Sequence, residues 1–205
     1  WRDEAWFETQ CERLRGTSVV YRVPTKPVHG RSLSLVVKYC RVGEDVPLDT
    51  MTFEKFSQAE FNSPYEEFSL VMELRERKVA ERILTHRPLA IYIPPERLEL
   101  WQTGRSAHRI EHKKAKFRDV ELDIFRRYVL IYQWINGESA DAALEKAVPG
   151  AARRAEELKR LTLRAKAEMA RNGFMVADHK PAHLILRWRR DGTLLRKKNG
   201  DYAYA

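Results

Sequence analysis

The first part of the chain alternates between short apolar runs and turn residues, a pattern typical of β-strands. Residues 17–23 are rich in β-branched and aromatic side chains and predict one strand, and residues 32–42 predict a second. Proline and glycine residues lie between the two runs and predict a turn. We therefore expect an antiparallel hairpin with a long loop, followed by an irregular stretch over residues 43–62.

From residue 64 the spacing of apolar residues changes to that of a helix. Ser63 is suited to capping this helix and Pro64 fits its first position. Apolar residues then recur at near-helical spacing as far as Leu84. Residues 89–93 predict a short strand, and residues 128–134 predict the clearest buried strand of the chain.

Helices dominate the pattern again towards the end of the sequence. Residues 139–147 predict a short helix and residues 151–172 a longer one, with Gly173 placed to end it in a left-handed conformation. Residues 184–188 predict a strand, and residues 191–192 a turn that is followed by two short strand-like pieces. The order of elements indicates an α+β fold that begins with an antiparallel sheet.

Composition narrows the choice of protein class. The chain has 205 residues, of which 43% are hydrophobic and 33% charged, as expected of a soluble globular domain. No run approaches the roughly 18 apolar residues that a membrane-spanning helix needs. The net charge of +9 suits anionic partners such as nucleotides, nucleic acid or acidic lipid, without choosing among them.

The cysteines and the first residues bear on location. Cys11 and Cys40 lack metal-ligand spacing, and we expect both to be reduced thiols. The first residues show no basic start followed by an apolar stretch, so no signal peptide is predicted. The expected reduced thiols and the lack of a predicted signal peptide favour a cytoplasmic location. Since the chain does not begin with Met, we expect it to be an excised or processed piece.

The sharpest motif is the sequence VADHKPAHLIL at residues 176–186. It resembles the catalytic loop of protein kinases, in which Asp is followed by Lys two residues later, then Pro, a metal-binding Asn and three apolar residues. Asp178, Lys180 and His183 occupy the corresponding positions. A polar turn between a helix and a strand is the plain alternative.

The resemblance implies a role for each of these residues in phosphoryl transfer. Asp178 would orient the attacking hydroxyl, and Lys180 would neutralise charge on the transferred group. His183 would face a magnesium or manganese ion, and Ile185 would form the floor under an adenine ring. The expected cofactors are therefore ATP and Mg²⁺ or Mn²⁺.

Lys38 lies within an apolar run, residues 35–38, that resembles the kinase strand whose Lys contacts the α- and β-phosphates. A Lys in such a strand is costly unless its charge is paired. Glu67 is the favoured partner, because the residues that follow it resemble the corresponding kinase helix. Other glutamates on the same predicted helix remain alternatives, namely Glu66, Glu73 and Glu76.

Further nucleotide contacts follow from the same resemblance. Val20 and Val36 would belong to the nucleotide-binding residues, and Tyr132 would hold the gatekeeper position before the hinge. Backbone groups of the hinge would bind the adenine edge, and Glu138 would reach a ribose hydroxyl. The hinge residues in this assignment are Gln133, Trp134 and Ile135.

The sequence also departs from the kinase pattern. Gly16 is the one glycine near the expected glycine-rich loop, which weakens the case for phosphate cradling by that loop. His183 replaces the usual Asn, although hard magnesium prefers oxygen ligands. The D-F-G segment, with its acidic metal ligand, is expected to follow Ala205.

These features predict a bilobal, protein-kinase-like α+β fold. Residues 1–134 would form an N-lobe of antiparallel sheet and helix, with a basic insertion at about 96–124. Residues 135–205 would form the hinge and part of a mainly helical C-lobe. The predicted function is ATP-dependent phosphotransfer to an undetermined hydroxyl acceptor, on a protein, a sugar or a lipopolysaccharide-type molecule.

Two other functions remain open. A pseudokinase or scaffold would keep the fold without turnover, as the degenerate glycine loop and His183 suggest. Basic clusters at residues 105–118, 187–190 and 196–198 also allow contact with nucleic acid or weak contact with an anionic membrane surface. Nucleic acid is disfavoured, because no nucleic-acid-binding motif accompanies the clusters.

Overall fold

The chain forms two compact units. The first comprises Trp1–Met72 and Arg87–Trp134, and the second comprises Glu73–His86 and Ile135–Ala205. A computed structural model describes the chain over residues 3–14, 19–40, 63–77, 83–103, 107–108, 111, 122–176 and 179–205. The predicted irregular stretch at 43–62 and most of the basic insertion lie outside these residues. The described part of that insertion includes a short 3₁₀-helix, Leu100–Thr103.

The first unit is built on a five-stranded antiparallel sheet with the strand order β1-β2-β3-β5-β4. The strands are β1 (Glu12–Arg13), β2 (Val19–Pro24), β3 (Ser34–Cys40), β4 (Pro88–Tyr92) and β5 (Tyr128–Gln133). The predicted hairpin is confirmed as β2 and β3, and the predicted later strands are confirmed as β4 and β5. An α+β class with an antiparallel sheet is therefore correct.

Alternation along β3 and β5 divides the apolar residues between the two faces of the sheet. On one face the fully buried Val37 and Val129 pack with Val23 and with Phe7. Phe7 comes from an N-terminal helix, α1 (Glu4–Gln10), which is capped by Asp3 and which the sequence reading did not predict. The other face carries a separate cluster of Val36, Leu130, Tyr132 and their neighbours.

The second helix, α2 (Pro64–Glu76), begins as predicted and ends earlier. Its start is fixed by Ser63, whose Oγ accepts a hydrogen bond from the backbone N–H of Glu66 at 3.0 Å. The prediction that the helix reaches Leu84 is wrong, because residues 83–87 are not helical. Ile83 is nevertheless buried, so its place in the apolar spacing reflects burial rather than helix.

The second unit contains the two predicted helices, α3 (Ala140–Ala147) and α4 (Ala151–Arg171). Gly173 follows α4 with a positive φ of 79°, as its predicted capping position requires. The predicted strand at 184–188 is confirmed in shorter form as β7 (Ile185–Leu186), which pairs with β6 (Glu138–Ser139). Apolar side chains of α3, α4 and β7 form the core of this unit, including Leu144, Leu161, Ala165 and Leu186.

The C-terminal segment folds back on itself through the predicted turn. Trp188 bridges to Leu194, and Arg196 bridges to Tyr202. Asp191 stabilises the turn, since its carboxylate accepts hydrogen bonds from the N–H and the hydroxyl of Thr193 at 2.9 and 2.7 Å. The two short strand-like pieces of the prediction are therefore isolated bridges rather than longer strands.

A buried carboxylate joins this segment to α4. The side chain of Glu168 is 6% exposed and lies 3.1 Å from the ammonium group of Lys197. The hydroxyl of Tyr204 donates to its other oxygen, and Arg164 lies 3.5 Å away. Since a buried charge is costly without partners, these contacts link the last strand-like pieces to the helix.

We predict that Lys197→Met lowers the free energy of unfolding by about 1–3 kcal/mol, because it removes a charged hydrogen-bond partner from a buried carboxylate. Lys198→Met is the matched control. Lys198 is exposed, and its replacement should change the free energy by less than about 0.5 kcal/mol. Urea unfolding followed by circular dichroism measures both values. Equal effects would contradict the proposed role of Glu168.

Cys11 and Cys40 are free cysteines. Among the helices that the structure describes, none combines the length and the apolar character needed to span a membrane.

Candidate functional site

The first unit contains an ion pair between β3 and α2. The ammonium nitrogen of Lys38 lies 2.7 Å from each carboxylate oxygen of Glu67. The two side chains are 29% and 30% exposed, so the pair is largely withdrawn from solvent while one edge stays accessible. This is the pairing that the sequence favoured.

The surroundings of Lys38 explain why it needs a partner. Val20 on β2 and Leu130 on β5 lie directly opposite it in the two flanking strands. Leu130 is fully buried, and an unpaired ammonium group beside it would be costly. Glu67 meets this need from the first turn of α2, where its backbone N–H donates to the carbonyl of Ser63 at 3.0 Å.

Two of the alternative partners on α2 have other surroundings. Glu73 forms an ion pair with Arg77, one turn further along the chain. Glu66 takes part in the helix cap through its backbone N–H, and its side chain is exposed. The position of the cap therefore decides which acidic side chain of the first turn faces the sheet.

Tyr132 is a third member of this arrangement. Its hydroxyl donates a hydrogen bond to a carboxylate oxygen of Glu67 at 3.0 Å, and its side chain is almost fully buried. Burial, followed by the negative charge of Glu67, raises the pKa of Tyr132 far above its usual range. The sequence predicted the gatekeeper position for Tyr132 but not this hydrogen bond. The pairing of Val36 with Tyr132 places the tyrosine beside Lys38.

Cys40 lies two residues after Lys38 and therefore on the same face of β3. Burial raises the pKa of its thiol to about 11, and the negative charge of Glu67 adds to this increase. The sequence reading treated Cys40 as a reduced thiol without a place in the site. Since Val36, Lys38 and Cys40 occupy alternate positions of a predicted strand, the sequence pattern could have placed Cys40 on the same face as Lys38.

The predicted nucleotide-binding valines of β2 and β3 lie close to the ion pair. Val36 is buried and Val20 half-buried, and both belong to the apolar cluster on the face that carries Lys38. Trp134 packs against the same cluster, with the guanidinium group of Arg22 4.8 Å from its ring centre. This face therefore combines apolar surface with a charged pair.

Two amides of the predicted hinge already have partners inside the first unit. The N–H of Gln133 donates to the carbonyl of Arg87 at 2.8 Å, and the N–H of Trp134 donates to the carbonyl of Ser34 at 2.9 Å. These two N–H groups therefore already donate within the first unit, and adenine binding by the hinge backbone stays a prediction.

The predicted site residues of the second unit have their own local contacts. The carboxylate of Glu138 forms an ion pair with Lys146 at 2.8 Å. Ile185 is half-buried on β7, opposite Ser139. Lys180 precedes a 3₁₀ turn, Pro181–His183, and the N–H of His183 donates to the Lys180 carbonyl at 3.0 Å.

Several predicted groups lie outside the described residues. They are Asp178 and the sequence around Gly16 that stands for the glycine-rich loop. Over the described ranges, no three histidine, cysteine or acidic side chains come together as a metal site would require. The roles of Asp178 in catalysis and of His183 in metal binding stay predictions.

The opposite face of the sheet carries a cavity of about 480 Å³. Tyr39 and Tyr92 form part of its wall, together with Arg97, Gln102 and Arg127. Both tyrosines pack against the Val23–Val37–Val129 cluster, so the cavity is separate from the Lys38 face.

Comparison with known proteins finds no relative. No family model matches the chain, no curated protein is significantly similar to it, and no solved structure matches it. The kinase-like resemblance therefore stays a prediction from the sequence motifs.

We predict that Cys40 reacts slowly with iodoacetamide. Since its pKa is raised to about 11, the thiolate fraction is small at pH 8, and the rate should rise tenfold per pH unit up to pH 10. Glu67→Gln should increase the rate severalfold at pH 9, because it removes a negative charge that disfavours the thiolate. Mass spectrometry follows the reaction in a Cys11→Ser background. A rate that levels off near pH 8.5, as for an ordinary thiol, would contradict the described surroundings of Cys40.

Proposed function

We propose that this protein binds ATP at the Lys38 face of its sheet and acts as a phosphotransferase of the protein-kinase-like superfamily. The observation that carries the proposal is the Lys38–Glu67 ion pair, with Nζ 2.7 Å from both carboxylate oxygens. In the protein kinases such a pair, between a strand Lys and a helix Glu, positions the α- and β-phosphates of ATP.

The energetics of the pair support a functional role. A largely buried ion pair is weak support for stability, because the cost of desolvating both charges offsets much of their attraction. An apolar pair of similar size would fill the same space at no such cost. The pair instead supplies a fixed ammonium group at a partly accessible edge, which suits the binding of an anionic ligand.

The donors of Lys38 are sufficient for this role. An ammonium group has three N–H donors, and Glu67 is the acceptor it contacts among the described residues. At most two donors point at the two carboxylate oxygens, which leaves one for a phosphate oxygen. Val20 and Val36 beside it offer the apolar surface that an adenine ring requires.

Catalytic roles in the second unit come from the sequence motif. Asp178 is proposed to orient the acceptor hydroxyl, and Lys180 to stabilise charge on the transferred phosphoryl group. When bound, a divalent ion would neutralise phosphate charge, with His183 at the position of the usual metal-binding Asn. The acceptor in this proposal is a hydroxyl group.

A pseudokinase is the second candidate, and His183 favours it. An imidazole in place of an oxygen ligand is poorly matched to magnesium, so ATP binding without turnover would follow. Binding of nucleic acid is less favoured. In the cluster at 196–198, Arg196 stacks on Tyr202 at 4.0 Å and Lys197 pairs with Glu168, so two of its three cations make internal contacts.

We predict that ATP raises the melting temperature of the protein, and that the double variant Lys38→Met/Glu67→Gln weakens ATP binding at least tenfold. The double variant removes the phosphate ligand without leaving one buried charge unpaired, as a single change would. Thermal-shift titration with ATP, with and without Mg²⁺ or Mn²⁺, measures the effect. Lys26→Ala is the matched control, since Lys26 belongs to the same unit and its side chain is 60% exposed.

The outcomes separate the candidate functions. Loss of ATP-dependent stabilisation in the double variant, with retention in Lys26→Ala, supports the nucleotide site. Equal stabilisation of both variants and the wild type would contradict it. Conversion of ATP to ADP with a divalent ion distinguishes a phosphotransferase from a pseudokinase, and salt-dependent binding of duplex or single-stranded DNA would point to nucleic acid.

A further inference from the structure

The carboxylate of Glu67 has two different kinds of donor. The ammonium group of Lys38 contacts both of its oxygens at 2.7 Å. The hydroxyl of Tyr132 adds a hydrogen bond to Oε1 at 3.0 Å. One oxygen therefore has a neutral donor in addition to the cation.

Tyr132 is far more constrained than the glutamate it contacts. It lies near the end of β5, a central strand, opposite Val36, and is 5% exposed within the apolar cluster of that face. Glu67 is 30% exposed and reaches the site through a long, flexible side chain from α2. The tyrosine ring therefore fixes the position of its hydroxyl, and this hydroxyl restricts the carboxylate.

The hydroxyl is suited to this role because it is a neutral donor. It attracts the carboxylate without adding a positive charge that would compete with Lys38 for Glu67 or for an anionic ligand. Its proton stays in place because burial and the charge of Glu67 raise the pKa of Tyr132 well above the physiological range.

We propose that Tyr132 is a positioning residue that acts through Glu67 to hold Lys38 where it contacts the phosphates of ATP. A phosphate oxygen that accepts a hydrogen bond from Lys38 weakens the hydrogen bonds between its ammonium group and Glu67. The hydrogen bond from the Tyr132 hydroxyl then helps to stabilise the carboxylate. This inference depends on the proposed ATP site. It assigns to Tyr132 a role in phosphate binding that a purely apolar residue at the gatekeeper position would lack.

A packing role makes a different prediction. If the ring of Tyr132 served only to shape the surface beside an adenine, its alteration would change the affinities for ATP and for adenosine alike. If Tyr132 instead acts through Glu67 and Lys38, its alteration should change the affinity for ATP, which has phosphates, and leave the affinity for adenosine nearly unchanged. The ratio of the two affinities separates these roles.

The test compares Tyr132→Phe with Tyr128→Phe by isothermal titration calorimetry with ATP and with adenosine. Tyr128 lies on the same strand and is also buried, but its hydroxyl accepts a hydrogen bond from the N–H of Asp123 at 3.1 Å. We expect Tyr132→Phe to weaken ATP binding about fivefold to tenfold, the loss of one hydrogen bond to a charged group, and to change adenosine binding less than about twofold. Tyr128→Phe should leave the ratio unchanged.

A double-variant cycle tests the route through Glu67. If Tyr132 acts through the carboxylate, Tyr132→Phe combined with Glu67→Gln should weaken ATP binding little more than Glu67→Gln alone. Losses that simply multiply would contradict the inference. Chemical unfolding of each variant shows that it is folded under the conditions of the titration.

A measurement on the unaltered protein covers the case in which the phenylalanine variant does not fold. The ¹³Cζ resonance of a tyrosine responds to hydrogen bonding of its hydroxyl. Addition of ATP should shift the resonance of Tyr132 and leave that of Tyr128 in place. A Tyr132 resonance that does not respond to bound ATP would overturn the proposal.

The failure of this inference is distinct from the failure of the ATP site. If the wild-type protein binds neither ATP nor adenosine, both the proposed function and the proposed role of Tyr132 are wrong. If the wild type binds ATP through Lys38 while Tyr132→Phe leaves the ratio of ATP to adenosine affinity unchanged, only the role of Tyr132 is wrong. An equal loss for both ligands would show that Tyr132 acts by packing.

Discussion

The ion pair between Lys38 and Glu67 organises the Lys38 face of the sheet. It places a cation in the middle of an apolar strand, between Val20 and Leu130, where a charge is tolerated only with a partner. The partner comes from a helix whose start is fixed by Ser63 and Pro64, so the cap determines which acidic side chain meets the sheet. Tyr132 and Cys40 then acquire unusual surroundings because they share that face with the pair.

The two faces of the sheet have different roles. One is closed by α1 through Phe7 and by tyrosine rings, and its residues form a largely apolar cluster with a cavity at its edge. The other carries the charged pair beside the apolar cluster that includes Val36 and Leu130. Because side chains alternate along a strand, a shift of one residue in β3 would exchange these environments and bury Lys38 against Val23. The register therefore determines the site as much as the residues do.

Much of the sheet was predictable, because hydrophobic alternation and turn residues act locally. The strands β2 to β5 and the helices α3 and α4 follow their patterns. The end of α2 did not follow its pattern. Ile83 is buried without being helical, and apolar spacing alone could not distinguish this from a residue on the buried face of a helix. Helix α1 was missed because it is short, and it depends on Phe7 packing against the sheet rather than on a long periodic pattern.

The site was partly predictable for a similar reason. Lys38 stood out because a charge within an apolar strand requires a partner, and Glu67 was favoured because the residues after it resemble the corresponding kinase helix. The hydrogen bond from Tyr132 depends on the pairing of β3 with β5, two strands that are far apart in the sequence. The internal bonds of the Gln133 and Trp134 amides also depend on distant residues, Arg87 and Ser34. Such contacts arise from tertiary structure and leave no local pattern.

A crystal structure of the protein with a non-hydrolysable ATP analogue and Mn²⁺ would show whether the Lys38 face binds nucleotide. We expect the analogue on the Lys38 face, with an α- or β-phosphate oxygen within hydrogen-bond distance, about 3 Å, of the Lys38 ammonium group. Its adenine should lie against Val20 and Val36. An analogue bound instead in the cavity beside Tyr39 and Arg127, or a Lys38 face that stays empty at saturating nucleotide, would contradict the account.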